Sequence, residues 1–172
     1  LIEKVIKSMA VTLELLESNK KIPESILMPV IDFSKNFTDV CHHGKEEESL
    51  FPELEKYGFP RNMGPIAVML MEHEITRRIA DKIDDSAKEY LNTGSSAGLI
   101  ANLQEYIEHV TAHLWKENNR LFVMADMRLQ GNPTFGENLN EIEKAKLKKL
   151  GRTRSDYENL VSKLESDISK IN

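Results

Sequence analysis

The chain has 172 residues, of which 40% are hydrophobic and 30% charged, with a formal net charge of −5. This is enough for one domain with a real core, and no apolar run approaches the roughly 20 residues of a membrane span. The acidic balance gives no global pull toward nucleic acid. Leu1 opens an amphipathic stretch bearing Glu3, Lys4 and Lys7 rather than a secretory signal. The single cysteine, Cys41, closes no internal disulfide, which fits a reducing, cytoplasmic setting.

Period-two alternation never lasts along the chain; helical stripes recur instead, with no repeat of solenoid length. The first predicted helix covers about residues 1–18, with Ile2, Val5, Ile6, Met9, Leu13 and Leu16 as its stripe, and Asn19-Lys20-Lys21-Ile22-Pro23 breaks it. The second covers about 24–57, with apolar positions at Ile26, Val30, Phe33, Phe37, Val40, Leu50 and Leu54. Pro29 falls early in it, Pro52 is expected to bend its last turns, and Gly58 stops it in a position suited to positive φ. The third starts near Pro65, runs to about residue 91, and ends at Asn92-Thr93-Gly94. Ser95 or Ser96 caps the fourth, which runs to about Gln130, before Gly131-Asn132-Pro133 breaks the chain again. Two shorter helices follow, split around Gly151. Four long helices with short connections predict an all-α, up-and-down antiparallel four-helix bundle over residues 1–130, with 131–172 as a C-terminal helical extension packed on its outside. The basic stretch 144–154 reads as the solvated face of a helix and the turn after it.

All five histidines lie between positions 42 and 113, on three predicted helices. His43 and Glu47 stand four apart, as do His42 and Glu46, and His113 and Glu117 repeat the spacing one turn after His109. Residues at i and i+4 share a helix face, so a histidine and a carboxylate at that spacing can address one metal or two neighbouring ones. Val40, Leu50 and Leu54 bracket His43 and Glu47, which favours that register as the inward one. His42 is then turned about 100° to the bundle's flank, and Glu46 and Glu48 read as a solvated acidic face. His73 stands between Glu72 and Glu74 on the third helix. Met69, Leu70 and Met71 read as core, and Cys41 as a small buried residue rather than a thiolate ligand. Two glutamates and three histidines turned into one core are hard to explain without metal, because a buried unpaired carboxylate is costly.

At these residues the sequence resembles the hemerythrin-like, or HHE cation-binding, family. The segment His42-His43-Gly44-Lys45-Glu46-Glu47-Glu48-Ser49-Leu50-Phe51-Pro52 resembles its second-helix motif. Glu72-His73-Glu74-Ile75-Thr76-Arg77 resembles the third, and His113-Leu114-Trp115-Lys116-Glu117-Asn118-Asn119-Arg120-Leu121-Phe122 the fourth. The likeness spans about residues 1–127. It implies His43, His73 and His113 as terminal ligands, and Glu47 and Glu117 bridging two iron ions that share an oxo or hydroxo group. Manganese and zinc are the chemical alternatives, and no thiolate set favours structural zinc. The family's first-helix histidine, in a Glu-His-x-x-Ile context, would fall two residues before Leu1 if Ile2 is that isoleucine; the expectation is a natural protein that begins earlier. Where oxygen carriers of the family place a further histidine, this chain has Arg77, a residue that can offset carboxylate charge, and His109 stands as an alternative ligand.

The resemblance implies a di-iron module that binds or senses dioxygen, nitric oxide or peroxide, ranked above an enzyme reducing such molecules or donating iron to damaged iron–sulfur centres. A metal-free helical interaction module, using the amphipathic tail as contact surface, is the third reading. No nucleic acid or membrane partner is expected. The chain is expected to be a monomer or homodimer, with any protein partner or electron donor left unnamed.

Overall fold

The computed structural model of the chain describes residues 1–129 and 135–171; Gln130 and the expected break at Gly131-Asn132-Pro133 lie outside them. Helix α1 (Ile2–Glu17) buries Ile2, Val5, Met9, Leu15 and Leu16. The buried face also takes in Ser8 and Thr12, where the Thr12 hydroxyl donates to the Ser8 carbonyl at 2.8 Å, so the polar group is buried already satisfied. Asn19 ends the helix at φ 58°, a left-handed conformation that asparagine tolerates better than most residues.

The second predicted helix is helical throughout, but not uniformly α. It runs as α2 (Glu24–Asp32), a π-helical stretch (Phe33–His43), a second π stretch (Glu46–Leu50) and α3 (Phe51–Lys56). An i→i+5 turn holds one residue more than an α turn, and burial follows that longer period: Phe33, Thr38 and His43 are all buried, as are Cys41 and Glu46. Val40, expected inward on α periodicity, is therefore 36% exposed. Pro52 sits in the first turn of α3, where π winding gives way to α winding and a missing N–H costs least. Gly58, at φ 88°, follows the helix end.

Helix α4 (Gly64–Thr93) is regular over its whole length and stops at Gly94, φ 81°. Met69 is buried on it, but Met71, expected in the core, is 56% exposed. Helix α5 (Ala97–Lys116) continues through a third π stretch (Glu117–Leu121) into α6 (Phe122–Leu129). Ser96 takes the N-cap position of α5, although its side chain makes no capping hydrogen bond. His113, Glu117, Leu121, Ala125 and Leu129 are all buried at strict four-residue spacing. In a pure α-helix such a stripe would drift by about 40° per step; the wider π turn takes up part of that drift.

The tail forms α7 (Phe135–Lys149) and α8 (Arg154–Ser169), separated by Gly151 at φ 66°. Thr153 and Asp156 form a reciprocal capping box at the start of α8. The result is an all-α helical bundle. Helix α4 packs on α5, α5 on α1, and α2 with the first π stretch on α4. Helix α8 packs against both α1 and α2, and α7 lies along the two π stretches of the second column. Tyr157, Val161, Leu164 and Ile168 of α8 belong to the same apolar core as α1 and α2. Tyr157 meets Phe33 and Phe37 there, with ring centroids 5.9 and 5.1 Å away. A smaller apolar cluster of Leu50, Phe51, Leu54, Ile66, Met69 and Leu121 caps the end of the bundle nearest the histidines. Among the described residues, no helix is long and apolar enough to cross a membrane.

Candidate metal centre

Three columns converge on one buried polar cluster. The π-wound column brings His42, His43 and Glu46, α4 brings His73, and α5 with its π continuation brings His113 and Glu117. His43, His73 and His113 are fully buried, while Glu46 and Glu117 are 2% and 1% exposed. Ligand atoms of His43, His73 and His113 lie within 4.8 Å of one another, and so do those of Glu46, His73, His113 and Glu117. The His43 and His73 rings stack at 3.9 Å, and His113 stands edge-on to both. His73 Nε2 is 3.3 Å from Glu46, His113 Nε2 is 2.7 Å from Glu117, and His42 Nε2 is 3.4 Å from the other Glu117 oxygen.

Outside this cluster lies a second set of carboxylates. Glu47 Oε1 accepts from His73 Nδ1 at 2.7 Å and from Arg77 Nη2 at 2.7 Å. Glu72 Oε2 accepts from His113 Nδ1 at 2.9 Å, and its other oxygen is held by the Lys116 ammonium. An ionised carboxylate only accepts, so each of these imidazoles carries a proton on Nδ1 and turns its Nε2 inward. This fixing of tautomer and ring plane by an outer carboxylate is what metal-binding histidines require. Arg77 also bonds Asp39 at 2.7 Å, and Asp39 stands 3.5 Å from His43 Nδ1. His109 Nε2 donates to the Glu72 backbone carbonyl at 3.0 Å, and His109 is not among the clustered ligand atoms.

The electrostatics divide the inner groups. Burial, reinforced by the neighbouring Glu117, pushes Glu46 well above the usual carboxylate range. Burial works against Glu117 as well, but hydrogen bonding from His113 and His42 overrides it and holds its carboxyl far below that range. Burial, with the other imidazoles nearby, pushes His43 well below an ordinary histidine. Burial also lowers His73, against the pull of Glu47. His113 goes the other way: burial opposes the charge, yet Glu117 and Glu72 together raise it.

The buried donors and acceptors of the cluster face mainly one another: His113 Nε2 and His42 Nε2 lie 2.7 and 3.4 Å from Glu117 and His73 Nε2 3.3 Å from Glu46, while His43 Nε2 and the remaining Glu46 oxygen have no hydrogen-bond partner among the described residues. Each such atom costs about 1–3 kcal/mol unless something satisfies its lone pair. A donor set of imidazole nitrogens and carboxylate oxygens, without thiolate, suits iron, manganese or zinc, so these residues fit a cation.

Of the residues singled out from the sequence, the structure brings His43, His73, His113 and Glu117 together, and differs at one pair of glutamates. Glu46, read as solvated, is buried in the cluster, and Glu47, read as inward, is half-buried and turned to His73 and Arg77. Glu46 stands three residues after His43 and four before Leu50, both buried, and so shares their face. The roles of Glu72, Lys116 and Asp39 were missed, because their partners lie on other helices and leave no local spacing signal.

The family profile of the hemerythrin HHE cation binding domain matches residues 4–125. No curated protein and no solved structure matches the chain.

Proposed function

Because the chain belongs to the hemerythrin HHE cation-binding family, we propose that it is a non-haem di-iron protein of hemerythrin type that binds or senses dioxygen, nitric oxide or peroxide. The observation that carries this reading is the convergence of buried imidazole nitrogens and carboxylate oxygens of His43, Glu46, His73, His113 and Glu117 from three columns, within 4.8 Å of one another in two overlapping sets. His43, His73 and His113 are the terminal imidazole ligands. Glu117 and Glu46 would be the carboxylates that hold the metal pair, with Glu47 acting from outside by fixing the His73 ring. His42 lies beside Glu117 and would be a further donor. The iron pair, when bound, would supply redox chemistry and a place for a small ligand such as dioxygen, nitric oxide or peroxide.

The chain's own residues set the conditions around that centre. Phe51 lies against His73 at 5.7 Å between ring centroids, and Leu50, Leu54, Met69 and Leu121 close the same end, so bulk water is kept from the imidazoles. Arg77 and Lys116 offset the outer carboxylates Glu47 and Glu72, which reduces the cost of holding that much negative charge near the core.

The test is metal content and optical absorption of protein loaded anaerobically with ferrous iron, beside a His43→Ala/His113→Ala variant. The expected result is about two irons per chain, near-ultraviolet bands after air oxidation, and loss of both in the variant. Loaded protein that retains no metal would overturn the di-iron reading. Retained iron whose spectrum is unmoved by dioxygen, nitric oxide and peroxide would overturn the ligand-binding part alone.

A further inference from the structure

The basic run at 144–154, expected as a solvated helix face, forms one wall of a groove. A cavity of about 730 Å³ lies between α7, the turn at Gly151, the start of α8 and Lys45 on the second column. Five cations line it, Lys45, Lys144, Lys148, Arg152 and Arg154, against one carboxylate, Glu143. That carboxylate is already committed: Lys45 bonds it at 2.9 Å and Arg154 at 2.6 Å. Burial opposes its charge, yet these two cations hold Glu143 below its ordinary range. Lys144 reaches only the exposed Glu141. Arg152 has its nearest carboxylate, Asp32, at 3.9 Å, and lies over the Tyr157 ring. Lys148 has no ion pair among the described residues.

A concave surface lined by one sign of charge focuses its field and concentrates counter-ions. Its volume falls within the roughly 300–1,000 Å³ of small-molecule sites. Guanidinium groups at the rim suit oxyanions, which they can grip with two parallel hydrogen bonds. The rest of the chain is acidic enough to leave the net charge at −5, which disfavours long polyanions that would extend beyond the groove. We propose that this groove binds a small phosphate-bearing anion, held by Lys148 and Arg152 with Lys45 and Arg154 shared between the ligand and Glu143. The proposal does not depend on the metal. Its position is nonetheless informative: Lys45 immediately precedes Glu46, so the ligand would touch the segment that carries a proposed metal ligand.

The test is calorimetric titration of inorganic pyrophosphate into the full chain, both metal-loaded and metal-free. It uses a Lys148→Glu/Arg152→Glu variant and a Lys163→Glu/Lys170→Glu control of equal charge change elsewhere on the tail. The expected result is one site per chain in both preparations, weakened at least tenfold in the first variant and unchanged in the control. Heat from pyrophosphate stripping metal would appear equally in both variants and is thereby subtracted. Equal loss in the two variants, or no binding to metal-free protein, overturns the proposal. So does binding of anionic phospholipid vesicles or a single-stranded oligonucleotide without binding of pyrophosphate.

Discussion

The second column and α4 both carry a histidine into the centre, and they do so by different windings. Helix α4 is regular from Gly64 to Thr93, and its buried positions Glu72, Thr76, Ile79 and Ile83 recur at three and four residues. The second column is π-wound on either side of Gly44-Lys45, and its buried positions recur at five (Phe33, Thr38, His43) as well as at four (Phe33, Phe37, Cys41). A wider turn narrows the angle between successive side chains. His43 stands in the histidine cluster, and its neighbour His42 still comes within 3.4 Å of Glu117. π turns are enriched at functional sites, and here two helical columns are π-wound where they carry the proposed metal ligands.

The largest expected effect separates the two windings directly. Deleting Arg78 from α4 removes one residue from a regular helix, turning Glu72 and His73 by about 100° relative to Ile79 and Ile83. Metal content is expected to fall to nothing. Deleting Asn36 removes one residue from the first π stretch, which can return to α winding while its flanks keep their directions. Metal content there is expected to stay near that of the parent. Equal loss in the two deletions would show that the π winding holds no spare residue.

A smaller effect distinguishes the inner carboxylate from the outer. Glu46→Gln is expected to lower metal affinity by more than about 100-fold. Glu47→Gln, which loosens the His73 ring without removing a donor, is expected to cost about 10–100-fold. Competition with a chelator of known affinity reads both, and the reverse order would return the inward role to Glu47. The smallest effect tests the apolar pattern alone. Ile83→Ala is expected to cost about 2–5 kcal/mol in denaturant unfolding. Val40→Ala, at an exposed position, should stay within about 0.5 kcal/mol. A cost at Val40 matching that at Ile83 would restore the straight α register to the second column.

Where winding is regular, the sequence announced most of the structure, Met71 on α4 excepted. The stops at Gly58, Gly94 and Gly151 all take positive φ, as residues without a side chain readily do. The regular stretches of α1, α4 and α5 follow the three-and-four spacing of their apolar residues, and the three motifs led to His43, His73 and His113. What spacing alone hid was the five-residue recurrence. Thr38, on that recurrence, and Glu46 are buried but polar and add nothing to an apolar stripe, so a reading from apolar neighbours selected Val40 and Glu47. The outer pairs Glu47–Arg77 and Glu72–Lys116 were hidden for another reason: they join residues 30 and 44 positions apart, where helical periodicity carries no information.

The placement of α8 has a consequence for the birth of the chain. Every proposed metal ligand has been synthesised by Glu117, but the flank of α1 and α2 around Phe33 and Phe37 is covered by α8, which ends at Ser169. At about 5–20 residues per second, the interval between Leu129 and Ser169 lasts roughly 2–8 s. Throughout it the nascent chain displays an aromatic flank, and a segment made well after the proposed ligands is the one that covers it.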